Sequence, residues 1–362
     1  LALIHGGDLA GFVDIYGYEP LDFSTNGNPL GVPEGVKQAL CQAAGRVDAY
    51  PDPLCRRLRA ALAEHEGVQP QQVCCGNGAA DLIFRLVQAV KPQRALLTAP
   101  SFAEYERALR SSGCQVTRLT LHHEQQFRLT EAILPRLTPD LDLVFLCNPN
   151  NPTGHLTEPG LMRQILAACA AAGIVLVVDE CFNGFVEAPE EHSVVKQLST
   201  YRQLVVLKAF TKLYGMAGLR LGYCLSGNPA WLRAVQNTGQ PWAVSSLAQA
   251  AGLAALAEQE YVTAARELIW QEKRRLLRQT ADWPVKVLGG DANWLFFRSP
   301  CLDLAERIRR RGILIRDCGN FPGLGPGYYR IAVRSQAENQ RLIDAMAAEL
   351  QDWLKQAQTA AT

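Results

Sequence analysis

Four polar clusters interrupt otherwise apolar stretches of the chain, and their residue types could do chemistry. The first is Gly76-Asn77-Gly78-Ala79-Ala80-Asp81. A glycine-rich turn leading into a helix points backbone N–H groups outward at the positive end of the helix dipole, which makes an anion site suited to a phosphate. Two glycines at such a turn also serve plain steric packing, so this cluster is ambiguous by itself. The second is Asn148-Pro149-Asn150-Asn151-Pro152-Thr153-Gly154, with two prolines within four residues. They fix a rigid turn and remove two donors, so an amide side chain there can point into a site at little entropic cost. The third is Asp179-Glu180, directly after the apolar run Ile174–Val178. A carboxylate at the end of a buried strand must find a cation or donors, or be neutralised; capping the next turn is its plainer role. The fourth runs from Thr211-Lys212 to Gly218-Leu219-Arg220-Leu221-Gly222. A lone lysine is nearly always solvated. This one follows a predicted strand, and Arg220 stands eight positions on. Covalent amine chemistry needs a lysine that can be neutral at working pH, and burial and a nearby cation both lower its pKa. Arg220 could supply that cation while gripping a phosphate.

The elements that must position these clusters alternate between strand and helix. Strands are predicted over Gln72–Cys75, Arg94–Thr98, Gln115–Leu119, Leu143–Cys147, Ile174–Val178, Leu204–Leu207 and Leu221–Leu225. Helices are predicted after Gly78 through Val90, over Ala103–Ser112 and over Pro159–Ala172. Such alternation predicts an α/β fold with a mostly parallel sheet covered by helices on both faces. Ligands then sit outside the carboxyl ends of the strands, where all four clusters fall. Ser245–Arg278 reads as one long helical region. Beyond it come strands at Val285–Leu288, Trp294–Phe297, Ile313–Arg316 and Tyr328–Val333, and helices at Asp303–Arg311 and Gln336–Lys355. The expected organisation is a large domain over residues 36–245 and a smaller α+β domain over 246–362, with an irregular N-terminal segment, 1–35, wrapping onto the small domain.

A chain of 362 residues, 48% of them hydrophobic, can build two such cores. A net charge of +1 argues against nucleic acid or an anionic membrane as main partner. No apolar run reaches the ~18 residues that span a bilayer, and the start, Leu1-Ala2-Leu3-Ile4-His5, lacks the features of a signal peptide. Eleven scattered cysteines without a CxxC pair argue against a disulfide framework and against a structural metal site. A reducing cytoplasm is the expected location.

In order and spacing, Asn151-Pro152-Thr153-Gly154, Asp179-Glu180, Thr211-Lys212 and Gly218-Leu219-Arg220-Leu221-Gly222 resemble the signature of the aminotransferase class I/II group of fold type I pyridoxal-phosphate (PLP) enzymes. The resemblance spans nearly the whole chain and implies PLP as cofactor. It implies Lys212 as the Schiff-base lysine, Asp179 as partner of the pyridine nitrogen and Asn151 as the amide on the ring's 3-oxygen. Phe102 resembles the aromatic that stacks on the ring, and Gly78, Ala79, Ala80, Thr211 and Arg220 would surround the cofactor phosphate. Tyr50 resembles a tyrosine reaching that phosphate from a partner subunit, which implies a homodimer with shared sites. Arg330 resembles the arginine that takes a substrate acid group. Two residues depart from the pattern. Ala209 stands where many relatives have a phosphate-binding hydroxyl, and Phe182 where many have a tyrosine on the 3-oxygen.

Within this family the ends of the chain resemble the threonine-phosphate decarboxylases of cobalamin biosynthesis, close relatives of the histidinol-phosphate aminotransferases. The matching stretches are His5-Gly6-Gly7, Leu21–Ser24, Asn28–Gly31, Tyr50-Pro51-Asp52, Ile315–Cys318, Asn320–Leu324 and Tyr328–Ser335. A small phosphorylated amino acid carries two anionic groups, so its site needs cations beyond those on the cofactor. Arg316, Arg330 and Arg334, with His5, Asn28 and Gly31, are the substrate-binding candidates. A strand continuing through Arg330–Arg334 would put both arginines on one face. The alternatives are an aminotransferase acting on histidinol phosphate or an aromatic amino acid with 2-oxoglutarate, and a PLP-fold binding protein without catalysis. The joint presence of Lys212, Asp179 and Asn151 argues against the last.

Overall fold

The structure, a computed structural model, describes residues 5–360. Leu1–Ile4, part of the terminus read above for leader features, lie outside the described residues. A short strand, β1 (Leu21–Asp22), precedes the main sheet. That sheet has seven strands: β2 (Val73–Gly76), β3 (Arg94–Ala99), β4 (Gln115–Thr120), β5 (Leu143–Cys147), β6 (Val175–Asp179), β7 (Leu204–Ala209) and β8 (Gly222–Ser226). Their order is β2-β8-β7-β6-β5-β3-β4. All neighbours are parallel except β8, which runs antiparallel to both β2 and β7.

β5 and β6 are buried at every residue, as a parallel strand between two helical layers must be. Their side chains alternate between two cores. On one face Phe145 and Val177 pack with Leu82 and Leu86 of the helix Gly78–Val90 and with Tyr105 and Leu109 of the helix Ala103–Ser111. On the other, Val144, Leu146, Leu176 and Val178 meet Ile165 and Leu166 of the helix Pro159–Ala172. Each such side chain contributes roughly 1.5–3 kcal/mol on burial. These cores fix the strand ends, and the strand ends carry the polar clusters.

The C-terminal part holds a second sheet. After β9 (Lys286–Gly289) and β10 (Trp294–Arg298), strand β11 (Ile313–Leu314) leaves to pair in parallel with β1. β12 (Arg316–Asp317) and β13 (Tyr328–Ala332) complete a four-stranded antiparallel sheet in the order β12-β13-β10-β9. The strand expected over Ile313–Arg316 is thus two strands in two sheets, separated at Ile315. The helical region expected over Ser245–Arg278 is two helices, Ser246–Leu256 and Gln259–Gln279. The N-terminal segment is not simply irregular. It contains the helix Leu9–Tyr16, capped by the Asp8 carboxylate on Gly11 N and closed by Gly17 in the left-handed conformation. Beyond that helix the segment docks on the second sheet, where Phe23 O accepts from Ala332 N and Phe23 joins the core of Trp294, Phe296 and Tyr329.

Candidate active site

The carboxyl ends of β5, β6 and β7 open onto a cavity of about 450 Å3, closed on its far side by residues of β12, β13 and the N-terminal segment. Five cationic side chains line it, Arg107, Lys212, Arg220, Arg316 and Arg330, against two carboxylates, Glu104 and Asp179. The excess favours anionic ligands.

Lys212 sits on a single helical turn, Phe210–Leu213, directly after β7. Burial lowers its pKa to about 8, and the charge of Arg330 adds to that; Asp22 and Cys181 pull the other way, and Arg220 acts more weakly. The cation that chiefly tunes the lysine is therefore Arg330 rather than Arg220. Asp179 ends β6, buried, with its Oδ2 accepting from Tyr105 OH at 2.6 Å and its Oδ1 from Cys181 N at 2.9 Å. Two donors satisfy part of a buried carboxylate and leave lone pairs for a further one. Burial, reinforced by the Asp179 charge, pushes the Tyr105 phenol well up, so it stays a donor. Tyr105 also stacks on Phe145 at 4.8 Å and meets Phe102 edge-on at 5.5 Å, and so props Phe102 against the cavity.

Asn151 is held by its turn. Asn150 Nδ2 donates to Pro100 O at 3.1 Å and to Thr153 Oγ1 at 3.0 Å, and Trp294 Nε1 donates to Pro152 O at 2.8 Å. Asn151 Oδ1 accepts from Arg330 Nη1, which leaves its amide nitrogen as a donor to the cavity. Ala79 and Ala80, in the first turn of the helix Gly78–Val90, line the opposite end with Thr211 and Arg220. Gly78 itself does not line the cavity. A Cβ on Gly78 would lie 2.6 Å from Arg220 Nη2, so the glycine makes room for the guanidinium.

Arg316 and Arg330 are direct cross-strand partners on β12 and β13, both buried. Arg330 Nη2 donates to Ser24 O at 2.8 Å, and Arg316 Nη2 to Asn320 Oδ1 at 2.9 Å. Like charges opposite each other on a sheet are destabilising. Burial brings Arg330 down to about 10, and Arg316 contributes to that fall. An anion between them would reverse the penalty. At the exposed rim, His5 Nε2 lies 2.7 Å from Glu104 Oε1.

The model of the family described as "Aminotransferase class I and II" matches residues 18–346. The chain belongs to the aminotransferase class I and II family. It is 40% identical over 348 residues to the threonine-phosphate decarboxylase of Salmonella typhimurium, covering 94% of this chain and 95% of that protein. It is 36% identical over 330 residues to the histidinol-phosphate aminotransferase of Desulfitobacterium hafniense, covering 89% of each. The solved histidinol-phosphate aminotransferase of Sinorhizobium meliloti, in complex with pyridoxal-5'-phosphate, superposes with a TM-score of 0.86 at 25% identity, covering 97% of this chain and 96% of that one.

The donor set fits the family's cofactor. Backbone N–H groups and Arg220 are suited to a phosphate, and Asp179 would meet a ring nitrogen, Asn151 a ring oxygen, Phe102 a ring face and Lys212 an aldehyde. The departures also have visible consequences. Ala209 presents only a methyl to the cavity, and Phe182 packs edge-on against Trp294 at 4.7 Å. Besides Gly78, four candidates lie off the cavity. Tyr50 is 81% exposed and packs on Trp242. Asn28 is buried, donates to Leu213 O at 2.6 Å and accepts from Leu30 N, and so ties the N-terminal segment to the turn after Lys212. Gly31 O accepts from Tyr261 OH, outside the cavity. Arg334 is a correction. β13 ends at Ala332, so the shared face expected with Arg330 does not form. Arg334 instead pairs with Glu338 at 2.7 Å and donates to Asp22 O. Glu338 forms a reciprocal cap with Ser335 at the start of the final helix. Sequence reading missed Tyr105, Asn26, Glu104 and Arg107, all on the cavity. Tyr105 has no local signal, because an aromatic on the buried side of a helix reads as core.

Proposed function

We propose that this chain is a PLP-dependent decarboxylase that converts L-threonine O-3-phosphate to (R)-1-amino-2-propanol O-2-phosphate for cobalamin biosynthesis. The observation that carries the reading is the buried, directly opposed pair Arg316 and Arg330 across the cavity from Lys212, in a chain 40% identical to a threonine-phosphate decarboxylase. A substrate with a carboxylate and a phosphate gives each guanidinium an anion.

PLP, when bound, supplies an electron sink conjugated to the substrate's α-carbon. Lys212 Nζ holds it covalently and the helix turn at Ala79 and Ala80, with Thr211 and Arg220, grips its phosphate. Asp179, oriented by Tyr105 and Cys181, keeps a proton on the ring nitrogen, and Asn151 donates to the ring oxygen. Arg330 would hold the substrate carboxylate, and the Lys212 amine, freed when the substrate's amine takes its place, would carry a proton to the α-carbon that CO2 leaves. Tyr50, exposed beside Trp242 and Val47, fits the reading of a homodimer in which it enters the partner's cavity. Eleven free thiols fit a cytoplasmic location.

The 36% identity to a histidinol-phosphate aminotransferase favours a second reading, amino transfer to 2-oxoglutarate. One comparison separates them. The holoenzyme is expected to release CO2 from L-threonine O-3-phosphate. Amino transfer without CO2 release would reject the decarboxylase. Failure to bind PLP would reject both.

A further inference from the structure

Glu104 is a carboxylate in a cavity otherwise arranged for anions. It is the second residue of the helix Ala103–Ser111 and is only 7% exposed. Its Oε1 lies 2.7 Å from His5 Nε2, and its Oε2 lies 3.6 Å from Arg107 Nη1. His5 and Arg107 have exposed side chains, 49% and 67%, so the buried carboxylate holds an imidazole on one oxygen and a guanidinium near the other at the rim. An unpaired acid here would repel a phosphate. Flanked on both sides, it instead becomes a fixed anchor for two exposed donor side chains.

His5 is restrained from two directions. Two residues on, Gly7 N donates to Ser24 Oγ at 2.8 Å, and the Ser24 carbonyl in turn accepts from Arg330. Its ring rests 5.8 Å from Phe102 in a tilted contact. Position along the chain is thus set by Ser24, but rotation of the imidazole is set by Glu104. With Nε2 committed to the carboxylate, Nδ1 carries no hydrogen bond among the described residues and can donate to a phosphate whenever the imidazole binds its second proton.

We propose that Glu104 is a positioning residue: it aims His5 and Arg107 at the substrate's phosphate and so makes the rim select phosphorylated amines over unphosphorylated ones. This rests on the decarboxylase reading for its substrate. It assigns to Glu104 no part in bond breaking.

The test uses the PLP-loaded enzyme and Glu104→Gln, Glu104→Asp, His5→Ala and the double variant His5→Ala/Glu104→Gln. In Glu104→Gln, KM for L-threonine O-3-phosphate should rise about tenfold while kcat falls less than about threefold. The preference for that substrate over L-threonine should fall by a similar factor, with Glu104→Asp recovering part of it. The double variant should be no worse than His5→Ala plus the Arg107 share, because the two act through one contact. An unchanged KM, a loss confined to kcat, or full additivity would overturn the proposal. Should Glu104→Gln not fold, His5→Ala and Arg107→Ala at the exposed rim decide instead, and unchanged KM in both overturns it. Absence of CO2 release by the unaltered enzyme refutes the decarboxylase reading alone. In that case binding of L-threonine O-3-phosphate, followed by the visible spectrum, replaces KM, and equal affinities in the unaltered and Glu104→Gln enzymes sink the proposal.

Discussion

The two walls of the cavity are built differently. The inner wall stands on the ends of buried parallel strands, with Asp179, Asn151 and Lys212 each one or a few residues beyond an apolar run. Its geometry is inherited from the core, because moving any of these groups means moving a strand. The outer wall is assembled from distant pieces: β12 and β13, the N-terminal segment and the rim of the helix Ala103–Ser111. Polar contacts hold it, such as Arg330 to Ser24 and Asn151, and His5 to Glu104. Under the proposed function the labour divides: the inner wall would hold the cofactor, and the outer wall would select the substrate and the bond it presents.

The sharpest way to break this division is at Lys212. Lys212→Ala should abolish the visible band of the loaded enzyme and lower CO2 release by at least about a thousandfold. Substantial residual turnover would remove the inner wall's claim to the chemistry. Arg330→Ala comes next. It should raise KM by about a hundredfold, as expected for losing a buried charged contact, and leave bound PLP spectrally intact. Loss of PLP from this variant would show that the outer wall also holds the cofactor.

A subtler effect tests an electrostatic link between the walls. Burial and Arg330 hold Lys212 at about 8. The neutral amine is the reactive form, so the apoprotein should take up PLP faster as pH rises, with a midpoint at about 8 and a plateau roughly one pH unit above it. Removing the cation in Arg330→Met lets the protonated lysine persist to higher pH, so the midpoint should move upward. A midpoint that stays put would leave burial as the sole cause. The smallest effect is expected at Arg334, whose ion pair with Glu338 is partly solvated. Arg334→Ala should cost about 0.5–1 kcal/mol in thermal or denaturant unfolding and leave KM within about twofold. A large rise in KM would restore Arg334 to the substrate site.

The inner wall was readable in the chain because its signals are local. An apolar run followed by Asp179, or two prolines around Asn150 and Asn151, marks the end of a strand without reference to anything distant. The seven strands of the main sheet were legible for the same reason. Of the outer wall, His5, Arg316 and Arg330 were named through the resemblance and do line the cavity, but no local signal marks them, since such residues acquire their place only through pairing. Arg316 faces the cavity because the chain switches sheets at Ile315, a choice set by β1 near the other end of the chain. Arg334 misses it because a helix cap claims the residues after Ala332. Glu104 and Tyr105 look like ordinary helix positions until His5 and Asp179 are beside them. The helix Leu9–Tyr16 did carry local signals, Asp8 and Gly17 at its ends, and reading the segment as irregular overlooked them.

The reversed strand β8 has a consequence for how the molecule assembles. β7 and β8 pair as neighbours in the chain, Ala209 opposite Gly222, and the loop between them carries both Lys212 and Arg220. β1 and β11 pair Leu21 with Ile313, nearly the full chain apart. Closing a short loop costs less entropy than closing a long one, and local pairings form faster. Lys212 and Arg220 thus lie on one short-range pairing, whereas the segment that completes the outer wall depends on a long-range one.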